Sequence, residues 1–178
     1  GRSLGGQLYN NRITTNVTPM WVASGYGSAT GTVIARNRII SSADAVKDFP
    51  AVRMGWTERT DCLAKDIEFR SNVFEGIDFT IDASPQHHSY SVYWTLTIHV
   101  IDRKEKAVKG TQVSILDREG KEIWGGITDD NGSVEAELEE YRVDGDEITR
   151  LSPFTVIVRK KKEEIYLDAN QTITIEVR

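Results

Sequence analysis

From Tyr93 onward, apolar and polar positions alternate. Trp94, Leu96, Ile98 and Val100 fall on one side of the chain, and Thr95, Thr97 and His99 on the other. A period of two belongs to a strand with one face buried. The pattern recurs at Val113 and Ile115, around Ile123, at Val134, Ala136 and Leu138, at Phe154, Val156 and Val158, at Ile165 to Leu167, and at Ile173, Ile175 and Val177. Turn signals separate these runs, above all Asp129-Asp130-Asn131-Gly132, where Asn-Gly accepts the positive φ of a tight hairpin. Ser133, Glu135, Glu137 and Glu139 alternate with the apolar residues of their strand, which predicts an outward row of carboxylates that protects the sheet. Seven short strands without an amphipathic helix predict a two-sheet sandwich over residues 89–178.

Residues 1–88 follow a different rule. Their apolar runs are short, but a local signature returns: Asn11-Arg12-Ile13, then Asn37-Arg38-Ile39, and more loosely Asn72-Val73-Phe74, at intervals of 26 and 35 residues. A period of this size suits stacked turns of a solenoid whose loops differ in length, with Asn at a corner tolerating left-handed dihedrals. The segment from Lys65 to Gly76 resembles a rung of a right-handed parallel β-helix, with Ile67, Phe69 and Val73 expected to point inward. The reading is therefore an all-β chain: a short right-handed parallel β-helix-like segment over 1–88, then a seven-stranded immunoglobulin-like sandwich over 89–178, with the boundary near His87. Three rungs are near the minimum for a solenoid, and its ends need caps. The sandwich would cap one end, and the end near Gly1 would expose strand edges unless further chain or another subunit covers it.

In the second half, Val100-x-Asp102, Val108-x-Gly110, Val113-x-Ile115 and Gly126-x-Thr128-Asp129-x-x-Gly132 resemble the carboxypeptidase regulatory-like, transthyretin-like domain. That resemblance covers about half the chain and implies a non-catalytic appendage of a secreted or surface protein, with a spacer, docking or carbohydrate-facing role. The join, from Asp78 through Asp82 into Ser89 to Trp94, resembles secreted β-helix repeat proteins that carry a C-terminal sandwich. A rival likeness is weaker. The stretch from Gly31 to Val46 resembles the strand pair around the catalytic histidine of trypsin-like proteases, but Asp44 stands where that histidine belongs. No Gly-Asp-Ser-Gly follows anywhere, and a carboxylate cannot take a serine proton as an imidazole does.

Composition narrows the classes. A hydrophobic content of 39% with 28% charged residues is that of a folded chain. Residues 1–88 hold nine basic and nine acidic residues, so the net charge of −5 lies wholly in residues 89–178. No basic face suits nucleic acid, and the run from Arg159 to Lys162 reads as a solvated turn. No apolar run is long enough to span a bilayer. The sequence opens at Gly1 without a signal peptide or initiator Met, which fits a mature product or a fragment with an upstream segment missing. Cys62 is the single cysteine, which excludes an internal disulfide and a multi-thiolate zinc site and predicts a buried or half-buried thiol. Three sequons make Asn16, Asn131 and Asn170 candidate glycan acceptors in a secretory pathway.

Candidate chemistry is sparse. His87 and His88 would face opposite sides of a strand and His99 stands alone, so they read as linker and surface residues rather than as metal ligands. Asp44, Asp48, Asp61, Asp66, Arg53 and Arg59 are residue types that polysaccharide-cleaving β-helices employ, but their spacing singles out no cluster. Trp21, Tyr26 and Trp56 lie in the loop-rich half, where an exposed ring could stack on a pyranose, although core or loop-anchoring roles are the commoner use of such rings. The sequence thus points to an extracellular or cell-surface structural module that self-associates or meets a missing upstream domain. No cofactor, metal, nucleic acid or membrane span is expected. The alternatives are a carbohydrate-binding module and the tail of a polysaccharide lyase or hydrolase.

Overall fold

The computed structural model describes residues 3–42 and 49–178. Every regular element among them is a strand, and the described residues contain no helix. The chain divides into two compact units, one comprising Gly1–Tyr93 and Tyr141–Thr149, the other Trp94–Glu140 and Arg150–Arg178.

The first unit passes three times through the same four strand positions. The first pass is β1 (Ser3–Leu4), β2 (Gln7–Tyr9), β3 (Arg12–Thr15) and β4 (Met20–Val22). The second is β5 (Ala29–Thr30), β6 (Val33–Ala35), β7 (Arg38–Ser41) and β8 (Val52–Met54). The third is β9 (Ala64–Lys65), β10 (Ile67–Arg70), β11 (Val73–Glu75) and β12 (Ile81–Ala83). Each strand pairs in parallel with its counterpart one pass away, giving the orders β1-β5-β9, β2-β6-β10, β3-β7-β11 and β4-β8-β12. Strand β13 (Ser89–Ile101) then adds its first residues to β10, with Ile67 opposite Tyr90 and Phe69 opposite Val92.

Register places like residues in columns. Ile34, Phe69 and Val92 are buried in one, and Ile39 is buried in another between Ile13 and Phe74. Val73, expected inside, pairs with Arg38 and is 42% exposed. The reason is the corner at Ser71 and Asn72, which restarts the alternation so that Phe74 takes the inward position in line with Ile39. The corners are columns too. Gly5, Gly31 and Asp66 are left-handed at one (φ 64°, 63° and 54°), and Asn10, Arg36 and Ser71 at the next (φ 56°, 56° and 50°). The left-handed residue there is the one before each repeated asparagine, because the asparagines have another task.

Asn11, Asn37 and Asn72 form a ladder through the three passes. The Asn37 Oδ1 accepts from the backbone N–H (2.9 Å) and Nδ2 (3.0 Å) of Asn11, and the Asn72 Oδ1 accepts from the same two groups of Asn37 (3.0 Å each). Each buried amide also donates back to a strand carbonyl, Asn37 to Leu8 (2.9 Å) and Asn72 to Ile34 (2.8 Å). A corner bent away from the sheet ladder leaves backbone groups without strand partners, and the asparagine side chain supplies them.

The remaining strands are β14 (Gln112–Leu116), β15 (Glu122–Ile127), β16 (Ser133–Asp144), β17 (Glu147–Arg150), β18 (Phe154–Val158), β19 (Lys161–Ile165) and β20 (Gln171–Glu176). In the second unit, β15-β14-β18-β19 form an antiparallel sheet. The later residues of β13 lie between β16 and a parallel β20. This arrangement is sandwich-like. Leu96, Ile98, Val100, Ala136, Leu138 and Ile175 are buried from one sheet, and Val113, Ile115, Phe154, Val156 and Val158 from the other. Apart from the smaller Ala136, each such side chain is worth roughly 1.5–3 kcal/mol when fully removed from water.

Three turns of this unit share one construction. The side-chain Oδ1 of Asp102, Asp117 and Asp129 accepts from the backbone N–H two and four residues on, at 2.7 to 3.0 Å. The residue three positions on is left-handed: Glu105 (φ 58°), Gly120 (φ 80°) and Gly132 (φ 70°). The Asn131-Gly132 signal therefore marks one member of a set of three.

Candidate functional site

The outward face of β4, β8 and β12 carries the residues with most to offer a ligand. Register sets Trp21, Arg53 and Asp82 side by side on neighbouring strands. The Arg53 guanidinium carbon lies 5.9 Å from the centre of the Trp21 ring, and its Nε is 3.8 Å from the Asp82 carboxylate. Trp56 comes from the turn after β8 and stacks on Trp21 with ring centres 4.9 Å apart and planes 9° from parallel. The Trp21 Nε1–H donates to the Gly55 carbonyl at 2.9 Å. All these partners belong to the second and third passes, and Trp21 as a residue is 47% exposed.

The turn that carries Trp56 is held on both sides. Gly55 is left-handed (φ 72°), and a Cβ there would overlap the Ser84 Oγ and lie 2.6 Å from the His88 ring, so only glycine fits. Gly25 also packs closely against Trp56, where a Cβ would approach to 2.8 Å. Arg59 clamps the same loop, bonding the Asp61 carboxylate through two nitrogens at 2.9 Å each and the Gly25 carbonyl at 3.1 Å. The hydrogen-bonded Asp61 carboxylate holds the Arg59 guanidinium above its usual range.

Behind the turn sits His88, expected at the surface but only 3% exposed. The Ala64 N–H donates to its Nδ1 (3.0 Å), which places the ring proton on Nε2, facing the Ser84 Oγ at 2.9 Å. The Ser84 hydroxyl in turn donates to the Gln86 side chain. Burial pushes this imidazole below the usual histidine range, with the neighbouring His87 acting in the same direction. His87 is exposed, and its Nε2 meets the Asp144 Oδ1 at 2.5 Å, while the Gly145 N–H donates to the His88 carbonyl at 2.8 Å. These contacts fasten the tip of the β16–β17 hairpin within the first unit. His99 faces the Ser133 hydroxyl at 2.6 Å. No group of three or more metal-ligating side chains occurs among the described residues.

Beside the stacked indoles lies an open cleft of about 380 Å³, lined by Trp21, Arg53, Trp56, Glu58, Asp82 and Ser84 among others. Tyr26 is 87% exposed and lines a neighbouring cleft of about 470 Å³ that also contains Trp21. Of the three aromatic residues singled out in the sequence, two thus form one platform and the third stands next to it. The acidic candidates do not gather: Asp61 is tied to Arg59, Asp66 is a corner residue beside Ser89, and Asp44 and Asp48 lie outside the described residues. Asn16, Asn131 and Asn170 are all exposed, and the Asn170 Oδ1 accepts from the Thr95 N–H at 2.9 Å. Cys62 is fully buried.

Sequence reasoning missed Glu140, which shares the inward phase of Ala136 and Leu138 and is 5% exposed. Its Oε1 accepts from the Ser152 hydroxyl at 2.5 Å and lies 3.6 Å from Arg150. Burial pushes this carboxyl up, against the pull of Ser152 and Arg150. Counting the alternation one step past Leu138 would have found it.

No protein-family model matches the chain, and no curated protein does. Among solved structures, the major pilin subunit of Bacillus cereus overlaps it with 17% identity over 48% of this chain and 28% of the pilin, at a TM-score of 0.37; a variant form of that pilin gives the same values. The TIE protein of Bacillus anthracis overlaps with 14% identity over 59% of this chain and 19% of its own, also at 0.37. The chain therefore spans less than a third of either protein's length. Overlap at this level establishes neither a shared topology nor a shared task.

Proposed function

We propose that this chain is a non-catalytic structural module of the cell exterior: a short parallel β-helix followed by an immunoglobulin-like sandwich, assembling through the edge of its first pass. The observation that carries the reading is that edge. Strands β1, β2, β3 and β4 are each terminal in their sheets among the described residues. The carbonyls of Asn11, just before β3, and of Thr15, at its end, accept from Arg38 (2.8 Å) and Ser42 (2.9 Å), so these residues face β7. Arg12 and Thr14 between them turn their N–H and C=O groups the other way. At the ladder corner the Oδ1 of Asn11 holds the position that Asn37 and Asn72 fill with two donors each. Unpaired edges of this kind template further pairing. Location outside the cell rests on the likeness of Val100 to Gly132 to carboxypeptidase regulatory-like domains.

The occupant proposed is a second copy, joined edge to edge about a two-fold axis. At the third pass β13 already occupies the edge of β10, so a head-to-tail contact could match at most three of the four first-pass strands, whereas an isologous pair engages all four and closes on itself. Light scattering across the micromolar range should show mass rising with concentration to a plateau at twice the monomer. A monomer at every concentration would overturn self-association.

A further inference from the structure

We propose that the face built from Trp21, Trp56, Arg53 and Asp82 binds a pyranose ring of a glycan chain. A sugar offers a flat patch of C–H groups on one side and hydroxyls at its rim, and the site holds the complement of each. The indole of Trp21 is the patch's partner: the residue is nearly half exposed, yet its ring is immobilised by the Trp56 stack and the bond from Nε1 to Gly55. A ring already fixed loses little rotamer freedom when a ligand lands on it. Arg53 and Asp82 supply a planar donor and a planar acceptor in register with that ring, and at 3.8 Å they are close enough for neighbouring hydroxyls to bridge both. Their side chains remain about half or more exposed, so little protein contact must be broken first.

The cleft's chemistry argues against a wholly apolar ligand, which would leave Arg53, Glu58 and Asp82, all in the cleft lining, facing it without hydrogen bonds. An open, shallow cleft also suits one residue of a long chain better than a small molecule that must be enclosed.

The 178-residue protein should be applied to a printed glycan array carrying neutral and uronic-acid oligosaccharides, and the oligosaccharides it retains titrated in solution with tryptophan fluorescence as the signal. Trp21→Ala should weaken the best of these at least tenfold. Arg53→Met keeps the aliphatic stem and should weaken it several-fold with an unchanged thermal midpoint, which separates loss of binding from loss of fold. Retention of no pyranose on the array, or retention that survives both substitutions, would overturn the proposal.

Discussion

His88 sets the pH response at the scale of single residues. Its folded-state pKa lies below the ordinary value of 6.5 because burial disfavours the imidazolium. The unfolded chain therefore takes up the proton first as pH falls, and stability present above about 6.5 is lost as pH drops from there through the folded-state value. The thermal midpoint should fall between pH 7 and pH 5, and His88→Gln, which keeps an acceptor near the Ala64 N–H without a titrating ring, should flatten that dependence. Asp102 acts at lower pH. Backbone N–H groups of Lys106 and Lys104 hold its carboxyl below the ordinary range, so its contribution is present above about pH 4 and is lost in stronger acid. The three aspartate turns offer a sharper test, since Glu105 occupies a left-handed position that Gly120 and Gly132 fill at no steric cost. Glu105→Gly should be neutral or stabilising by up to about 1 kcal/mol, as strain of roughly that size is relieved. Gly132→Ala should destabilise by about 1–3 kcal/mol on backbone strain alone. Its new Cβ would also meet the Val100 carbonyl at 2.6 Å. Urea denaturation of both variants reads the contrast.

Among the elements, the asparagine ladder matters most to the first unit. Asn37 is buried, and its side chain serves Asn11, Leu8 and Asn72 at once. Asn37→Ala leaves those groups without it, at about 1–3 kcal/mol for each that stays buried and unsatisfied. Asn11→Ala, on the outer pass, should cost clearly less, because Asn11 is exposed and water can replace its side chain. Hydrogen exchange should show Asn37→Ala loosening the corners while the amides of β14 and β18 keep their protection. Uniform loss of protection would mean that the two units unfold as one.

For the whole molecule, the proposed self-association turns on the edge of the first pass. Thr14 directs its N–H away from β7, so proline there removes an outward donor and spares the ladder that holds β3, as edge strands tolerate. Thr14→Pro should leave the fold intact by circular dichroism and shift the monomer–dimer balance in light scattering toward monomer. Equal dimer in the variant would place the contact elsewhere.

The sequence by itself determined the alternating strands of the second half. Trp94, Leu96, Ile98 and Val100 are all buried as their period requires, because a strand with one wet face can satisfy that pattern in one register only. It also carried the repeat at Asn11, Asn37 and Asn72, since corner hydrogen bonding needs that side chain. What it did not carry was the phase across each corner, where Val73 and Phe74 exchange places, or the return of residues 141–149 to the first unit in mid-strand. Nor did it reveal that Trp21 and Trp56, 35 residues apart, form one stack, or that His88 is buried behind them. Such facts depend on which residue of one pass lies over which residue of the next. Loops of unequal length hide that register from the sequence, and it is fixed only when three passes close their hydrogen bonds together.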